Sequence, residues 1–438
     1  MSDTHAQTVA FVRDTMLPEK AAPSGQSGAI KWLRENLFSG WFNTLLTLVG
    51  LYVTYSFVVH FYPWFAHGVW DANSLKECRA IITDRYGEGA TGACWAMIRE
   101  RWHQFLFGFY PSELYWRPVL TFALLFVAIG PLMFQFVPKK VIWFTPLFPF
   151  VAVWLLWGGS IWAPLLVLAG FVLGWAVFSF VGKYGSIAGF SAGAVVAILY
   201  FLFAVGPLID LFQAMMPIGI EHVDSAKFGG FLLAITLGVG GIVMSLPAGI
   251  ILALGRQSDM LLIKSFSIIF IEFIRGVPLI TLLFVASLLL NYFLPPGTNF
   301  DIILRVVILV TMFAAAYIAE VIRGGLAALP RGQYEAADAL GLDYWKAQRL
   351  IILPQALKIS IPGIVSTFIG MFKDTTLVVF VGLFDPLKGI PDFIRADFNW
   401  KGIYWEPFVF VGAIFFILNF AMSRYSMHLE NRLQRDNH

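Results

Sequence analysis

The chain has 438 residues, of which 58% are hydrophobic, 16% aromatic and only 13% charged, about half the charge of a typical soluble protein. The formal net charge of +3 is too small and too dispersed to support a nucleic-acid partner, so the basic residues act by position. Such a composition is suited to lipid as the surrounding solvent.

Residues 1–40 are polar and mixed in charge, with no short apolar core followed by a small-residue cleavage site, so they read as a cytoplasmic segment and not as a cleaved signal. Apolar runs of about 20 residues, enough to cross ~30 Å of hydrocarbon, then recur. They are expected near 41–65, 118–137, 141–158, 161–181, 187–209, 229–254, 265–294, 302–325, 361–383 and 405–423. This predicts an all-α polytopic membrane protein with about ten spans.

An even number of spans puts both termini on one side, and Lys and Arg in the short connections choose it. Arg13, Lys20, Lys31, Arg34, Lys139, Lys140, Lys183, Arg256, Lys264, Arg331, Lys346, Arg349, Arg424, Arg432 and Arg435 all fall on one face, which is therefore expected to be cytoplasmic. The opposite links GGSIWAP and NYFLPPGTNFD are nearly free of base, whereas the outer link 384–404 mixes Lys388, Arg395 and Lys401 with Asp385, Asp392 and Asp397. The long outer loop 66–117 also carries basic residues, partly offset by acids, and holds the only two cysteines. Outside an inner membrane, Cys78 and Cys94 meet an oxidising compartment; a disulfide is the sharper reading, two unpaired thiols under a folded loop the other.

Near 210–228 the stretch LFQAMMPIGIEHVDSAKFGG interrupts the apolar run. Spans before it are rich in Trp and Phe, and polar residues recur in the spans after it. The expected organisation is an N-terminal segment 1–40, an accessory membrane region 41–225 of about five spans, a functional core 226–428 and a cytoplasmic tail 429–438.

Within the core, EAADALGLDYWKAQRLIILP runs from Glu335 to Pro354 on the inner face. Glu335 is expected to begin a helix whose small residues let a partner surface approach, with acids at the end that suits the helix dipole. Gly341 should end it with a positive φ, Asp343 should cap a second, basic helix, and Pro354 should mark where that helix gives way to the next. Taken alone, this is an amphipathic elbow between two spans.

The spacing adds more. Glu335, Ala336 and Ala337, then three residues, Gly341, nine residues, Ile351, one residue, Leu353 and Pro354 resemble the EAA loop of ABC importer permeases at every defining position. The resemblance covers roughly residues 226–428. GGFLLAITLGVGGIVMSLPAGIILALGRQS, IEFIRGVPLITLLF, AAYIAEVIRGG and MFKDTTLVVFVG are similar to segments of the polar amino-acid permeases, and Leu282 departs from them where many members have Gln. In layout the chain resembles the M-type subunit of broad-specificity L-amino acid systems, which also carries extra N-terminal spans.

What the resemblance implies is a type I ABC importer permease core in a bacterial inner membrane. Its expected partners are a homologous permease subunit, two copies of a cytoplasmic ATPase docked under the EAA loops, and a periplasmic amino-acid-binding protein. The sequence has no Gly-x4-Gly-Lys-Ser/Thr phosphate loop, so no cofactor is expected on this chain, and ATP and Mg fall to the ATPase. The seven histidines are scattered without ligand spacing, and no metal site or catalytic constellation is expected.

Two further groups stand out. Lys373 and Asp374 lie about midway along an apolar span, where a charge costs ~2.5–3.5 kcal/mol on the gentler insertion scales. With Thr375 and Thr376 they either border the gate through which a zwitterionic substrate passes or form a snorkelling couple that anchors a helix break. Glu320 and Arg323, three residues apart on one helical face, read as a structural pair. The rival function from another class is an ion-coupled secondary transporter of amino acids or other small polar solutes, against which stands the shortage of acids deep in the spans.

Overall fold

The computed structural model describes residues 28–134, 137–293 and 300–435. The described residues divide into two compact units, one running to residue 69 and including 80–93, the other made of 70–79 and the chain from 94 onward. In the smaller unit, α1 (Gly28–Asn36) precedes α2 (Trp41–Ala66). Here the backbone N–H of Val69 donates to the Ala93 carbonyl, that of Ala93 to the Trp64 carbonyl, and the His67 ring stacks on Tyr86 at 3.9 Å.

The larger unit takes part of α3 (Leu75–Tyr86), then α4 (Ala96–Phe107), α5 (Trp116–Met133), α6 (Phe144–Trp157), α7 (Trp162–Val181), α8 (Ser186–Leu199) and α9 (Val205–Met215). A two-stranded antiparallel pair, β1 (Gly159–Ser160) and β2 (Gly219–Ile220), ties the end of α6 to the segment after α9. The core follows with α10 (Gly230–Gln257), α11 (Leu261–Gly276), α12 (Leu279–Phe293) and α13 (Ile302–Ala327). It closes with α14 (Arg331–Ala339), α15 (Tyr344–Ala347), α16 (Leu353–Asp374), α17 (Gly389–Ala396) and α18 (Trp405–Arg435).

Among the described residues nine helices are long and apolar enough to cross a membrane, and ten crossings result if the bent pair α11–α12 makes one. The span expected over 265–294 is broken in two and does not run as one helix. Its helices meet at 100° beside Pro278, which has no backbone N–H to continue the ladder, and residues 294–299 lie outside the described residues. The span expected at 187–209 extends to Met215 through a π-helical turn at Tyr200–Ala204. α18 runs on to Arg435, into what was expected as tail.

Small residues set the core packing. A Cβ on Gly249 would lie 2.6 Å from Ile318, and one on Gly325 only 2.5 Å from the Ala356 carbonyl oxygen, so α10, α13 and α16 approach backbone to backbone. Gly241 of α10 faces Val310 and Gly249 faces Ile318, so α10 and α13 run parallel. The α11–α12 pair between them therefore returns the chain across the membrane. Gly325 faces Ala356 and Gly363 faces Val321, so α16 runs antiparallel to α13. Among the described residues two apolar cores result. One joins Leu233, Leu237, Ile303, Val306 and Val310, the other Leu254, Ile271, Ile318, Ile322, Ile352 and Ala356.

Opposite the elbow, the Cys78–Cys94 disulfide, with Cα atoms 6.0 Å apart, belongs to a cap built on the link after α16. Arg101 pairs with Asp397, the Trp400 indole donates to Glu100 at 3.1 Å, and the Cys94 N–H donates to Glu406 at 2.9 Å. Trp400 is fully buried beneath these contacts.

Candidate functional site

The elbow starts from Pro330, which precedes the first turn of α14. Glu335 is the fifth residue of that helix and does not begin it, and no acid occupies its first turn, so the expected favourable dipole contact is absent. The reason is local: Pro330-Arg331 starts the helix four residues earlier than the small-residue run does. The exit is a Schellman motif. Gly341 has φ +69°, its N–H donates to the Asp338 carbonyl at 2.9 Å, and the Leu342 N–H donates to the Ala337 carbonyl at 3.2 Å.

Asp343 then caps α15. It accepts from the Lys346 N–H at 3.0 Å and pairs with the Lys346 ammonium at 2.9 Å, and the Lys346 hydrogen bonds hold its carboxyl below the usual range. The second helix does not stop at Pro354. The chain passes from α15 through a π-helical turn, Gln348–Ile352, directly into α16, as one helical run. Pro354 supplies no N–H and its ring crowds the preceding turn; the wider turn just before it accommodates both.

The neighbours Ala336 and Ala337 part company here. Ala337 is 1% exposed and buried against its own chain, whereas Glu335, Ala336 and Asp338 are exposed. Ile352 and Ala356 are fully buried in the inner core, with Tyr334, Ile351 and Leu353 packed against it. Burial pushes the Tyr334 phenol up. A side-chain bond of 2.9 Å from Gln355 to Gln333 ties α16 to α14. Facing outward are Leu340, 72% exposed, Trp345, 70%, and Leu350, 63%. Sequence reasoning passed over these apolar side chains, although large apolar residues in a polar loop were a signal.

Beside the elbow, the family-like segments converge. Arg323 donates to Glu320 through Nε at 2.8 Å, and the second Glu320 oxygen lies 3.3 Å from Arg256 of α10 and 3.9 Å from Arg275 of α11. Arg256 also reaches Glu272 at 2.8 Å. The simple pair expected of Glu320 and Arg323 is the centre of a five-residue cluster joining α10, α11 and α13. Arg275 lies over the Tyr317 ring at 5.4 Å.

At the other end of α16, the helix tightens into a 3₁₀ run, Thr375–Val381, beginning beside Lys373 and Asp374. Lys373 is exposed and Asp374 half-buried, and neither has an ion-pair partner among the described residues. The threonines bond back to the helix: Thr375, buried, donates to the Phe372 carbonyl at 2.7 Å and Thr376 to that of Lys373 at 2.9 Å.

A bundle of this kind, with parallel α10 and α13, an elbow anchored in one of its apolar cores and an ionic cluster at the adjoining helix ends, is a polytopic membrane domain. Residues 245–435 match the family described as binding-protein-dependent transport system inner membrane component. The chain is 65% identical, over 100% of both chains, to the glutamate/glutamine/aspartate/asparagine transport system permease protein BztC of Rhodobacter capsulatus. It is 36% identical to the inner membrane amino-acid ABC transporter permease protein YhdY of Escherichia coli, over 95% of this chain and 96% of that one. The probable glutamine ABC transporter permease protein GlnP of Bacillus subtilis is 31% identical over 48% of this chain and 95% of its own length. The chain belongs to the amino-acid ABC transporter permeases, the multi-pass inner-membrane components of binding-protein-dependent importers. It is a transport subunit and not a catalytic enzyme, and the ion-coupled reading falls away.

Proposed function

We propose that this chain is one permease subunit of an importer for glutamate, glutamine, aspartate and asparagine. The observation that carries the reading is the 65% identity, over the full chain, to a permease named for those four amino acids. A periplasmic binding protein delivers the substrate, a homologous permease subunit completes the pathway, and two copies of a separate ATPase subunit, holding ATP and Mg, drive it. This chain binds no cofactor of its own.

The division of labour is a five-span accessory region, 41–225, and a transport core, 226–428. That a relative aligns over 95% of its own length with only 48% of this chain supports it. Both termini lie in the cytoplasm, supported by the one-sided Lys and Arg of the short connections. The elbow 335–354 seats in the ATPase, with Glu335, Ala336 and the exposed Leu340 and Trp345 on the contact side. Ala337, Gly341, Ile351, Leu353 and Pro354 fix the elbow to the spans. Lys373, Asp374, Thr375 and Thr376 border the substrate gate, which the lack of an ion-pair partner for Lys373 among the described residues supports, since a substrate carboxylate would supply one.

The test is uptake into proteoliposomes holding this chain with its co-purified partners, offered a panel of labelled amino acids. ATP-dependent uptake of the four named amino acids, and not of arginine or leucine, is the expected result. Uptake without the ATPase, or equal uptake of basic and branched side chains, overturns the reading.

A further inference from the structure

Between α6 and α10 the surface opens into a cleft of about 570 Å³, lined by Ile142, Trp143, Thr145, Pro146, Pro149 and Val243, a volume of the size that holds small ligands. The lining presents carbon. Its polar groups are few: the Trp143 indole N–H and the Thr145 hydroxyl, which donates to the Ala128 carbonyl at 2.6 Å. Val243 is 56% exposed on α10 and Trp143 is 77% exposed at the start of α6. α10, and α6 together with the turn before it (Lys139–Trp157), are long and apolar enough to cross the membrane, and tryptophan near the start of such a span sits at the boundary between headgroups and hydrocarbon.

Immediately before α6, residues Lys139–Trp143 form a 3₁₀ helix. Three residues per turn place Lys139 in line with Ile142 and Lys140 in line with Trp143, so two ammonium groups stand one turn from two lining residues. Both lysines are exposed, and no ion pair among the described residues includes either. Between Glu113 and Asp210 the chain contains no acidic residue, so no acid along the accessory spans that flank this turn offsets the two charges. An apolar cleft beside spanning helices, with a cation pair near one end that has no ion-pair partner among the described residues, matches one kind of molecule: an acyl chain carrying a negatively charged headgroup.

We propose that this cleft is a binding site for an anionic phospholipid, one acyl chain lying between α6 and α10 and the headgroup phosphate taken by Lys139 and Lys140. The lipid fills the gap between an accessory helix and the first helix of the core.

The test uses the intact complex in mild detergent, titrated with phosphatidylglycerol or with phosphatidylcholine of the same acyl chains and read by native mass spectrometry. Wild type should retain phosphatidylglycerol roughly tenfold or more tightly than phosphatidylcholine, and Lys139→Ala with Lys140→Ala should remove that preference, while the double change to Arg keeps it. Val243→Trp, which fills the cleft but leaves both cations, should weaken retention of both lipids. Equal retention of the two lipids by wild type overturns the proposal without needing any variant. So does a preference that survives both the alanine pair and Val243→Trp, or displacement of phosphatidylglycerol by millimolar glycerol phosphate, which would mean a site for the free phosphate group alone.

Discussion

Glu320 of α13 and Arg256 of α10 lie 3.3 Å apart, 64 residues distant in sequence, towards the elbow ends of two parallel helices. Each keeps 23% of its side-chain surface exposed. Such a contact fixes the rotation of one helix against the other at the level where the elbow joins the spans. Because Arg275 and Arg323 share the same carboxylate, a single acid holds three guanidinium groups together at the ends of α10, α11 and α13.

Removing that acid should therefore cost more than an ordinary surface pair. Glu320→Gln leaves Arg256 with Glu272 as its ion-pair partner, and Arg275 and Arg323 with none among the described residues. Since the site is partly open, the expected loss is at the low end for charged hydrogen bonds, about 1–2 kcal/mol. The thermal midpoint of the purified complex should drop by a few degrees at low salt, and Glu320→Asp should recover part of it. Rising salt should shrink the gap by screening both the attraction and the repulsion. Identical unfolding of Glu320→Gln and wild type at low salt would show that the cluster does not hold the helices.

The crossings, the positive φ at Gly341 and the Asp343 cap were legible because each depends on local chemistry: run length, the absence of a Cβ, a carboxylate before a helix. The ionic cluster was not. Arg256, Glu272 and Arg275 lie on two other helices, and only the parallel packing of α10 on α13 and the sharp bend at Pro278 bring them to Glu320. The bend itself was half legible, since Pro278 was in view but the apolar run continued past it. The burial of Ala337 and exposure of Ala336 were hidden for the same reason: which face of α14 turns inward depends on the tertiary contacts of Tyr334 and Ile352.

Gly341 offers a clean separation of backbone from packing. A Cβ built there meets nothing within 4 Å, so its constraint comes from φ +69° alone. Gly341→Asn should be nearly silent, because Asn enters this region at small cost, whereas Gly341→Val should cost about 1–3 kcal/mol and bend the elbow. The reading is the ratio of uptake to ATP hydrolysis in reconstituted complex: unchanged for Asn, lowered for Val. If Val couples as well as wild type, the positive φ is not needed for transmission.

For the gate, Lys373→Ala and Asp374→Ala should each lower uptake at least tenfold, while insertion and complex assembly, read by size-exclusion chromatography, stay intact. The motive is that charges at this depth are costly and neither has an ion-pair partner among the described residues to repay it. Thr376→Val is a useful companion. Its hydroxyl bonds to the Lys373 carbonyl, so if that bond shapes the turn, uptake should fall by a smaller factor with half-saturation unchanged. Parental rate and parental half-saturation in both alanine variants would leave the charges as anchors.

The last prediction sets Ala336 against Ala337. Both belong to the motif, and a docking role assigned to the motif as a whole treats them alike; the structure does not. Ala337 is 1% exposed, so Ala337→Trp must force an indole into the permease itself, an overpacking that costs about 1–3 kcal/mol or more and acts with no partner present. Ala336 is exposed, so Ala336→Trp leaves the free permease with no new clash and acts only when another surface closes on α14. The permease purified without the ATPase should thus unfold at a lower temperature for Ala337→Trp and at the wild-type temperature for Ala336→Trp. When the ATPase is added, Ala336→Trp should lose retention on an affinity column, and Leu340→Asp, which places a charge on the exposed apolar side of the same elbow, should do likewise. Full retention by both Ala336→Trp and Leu340→Asp would mean that this face meets no partner, and would leave Ala336 without a contact to explain.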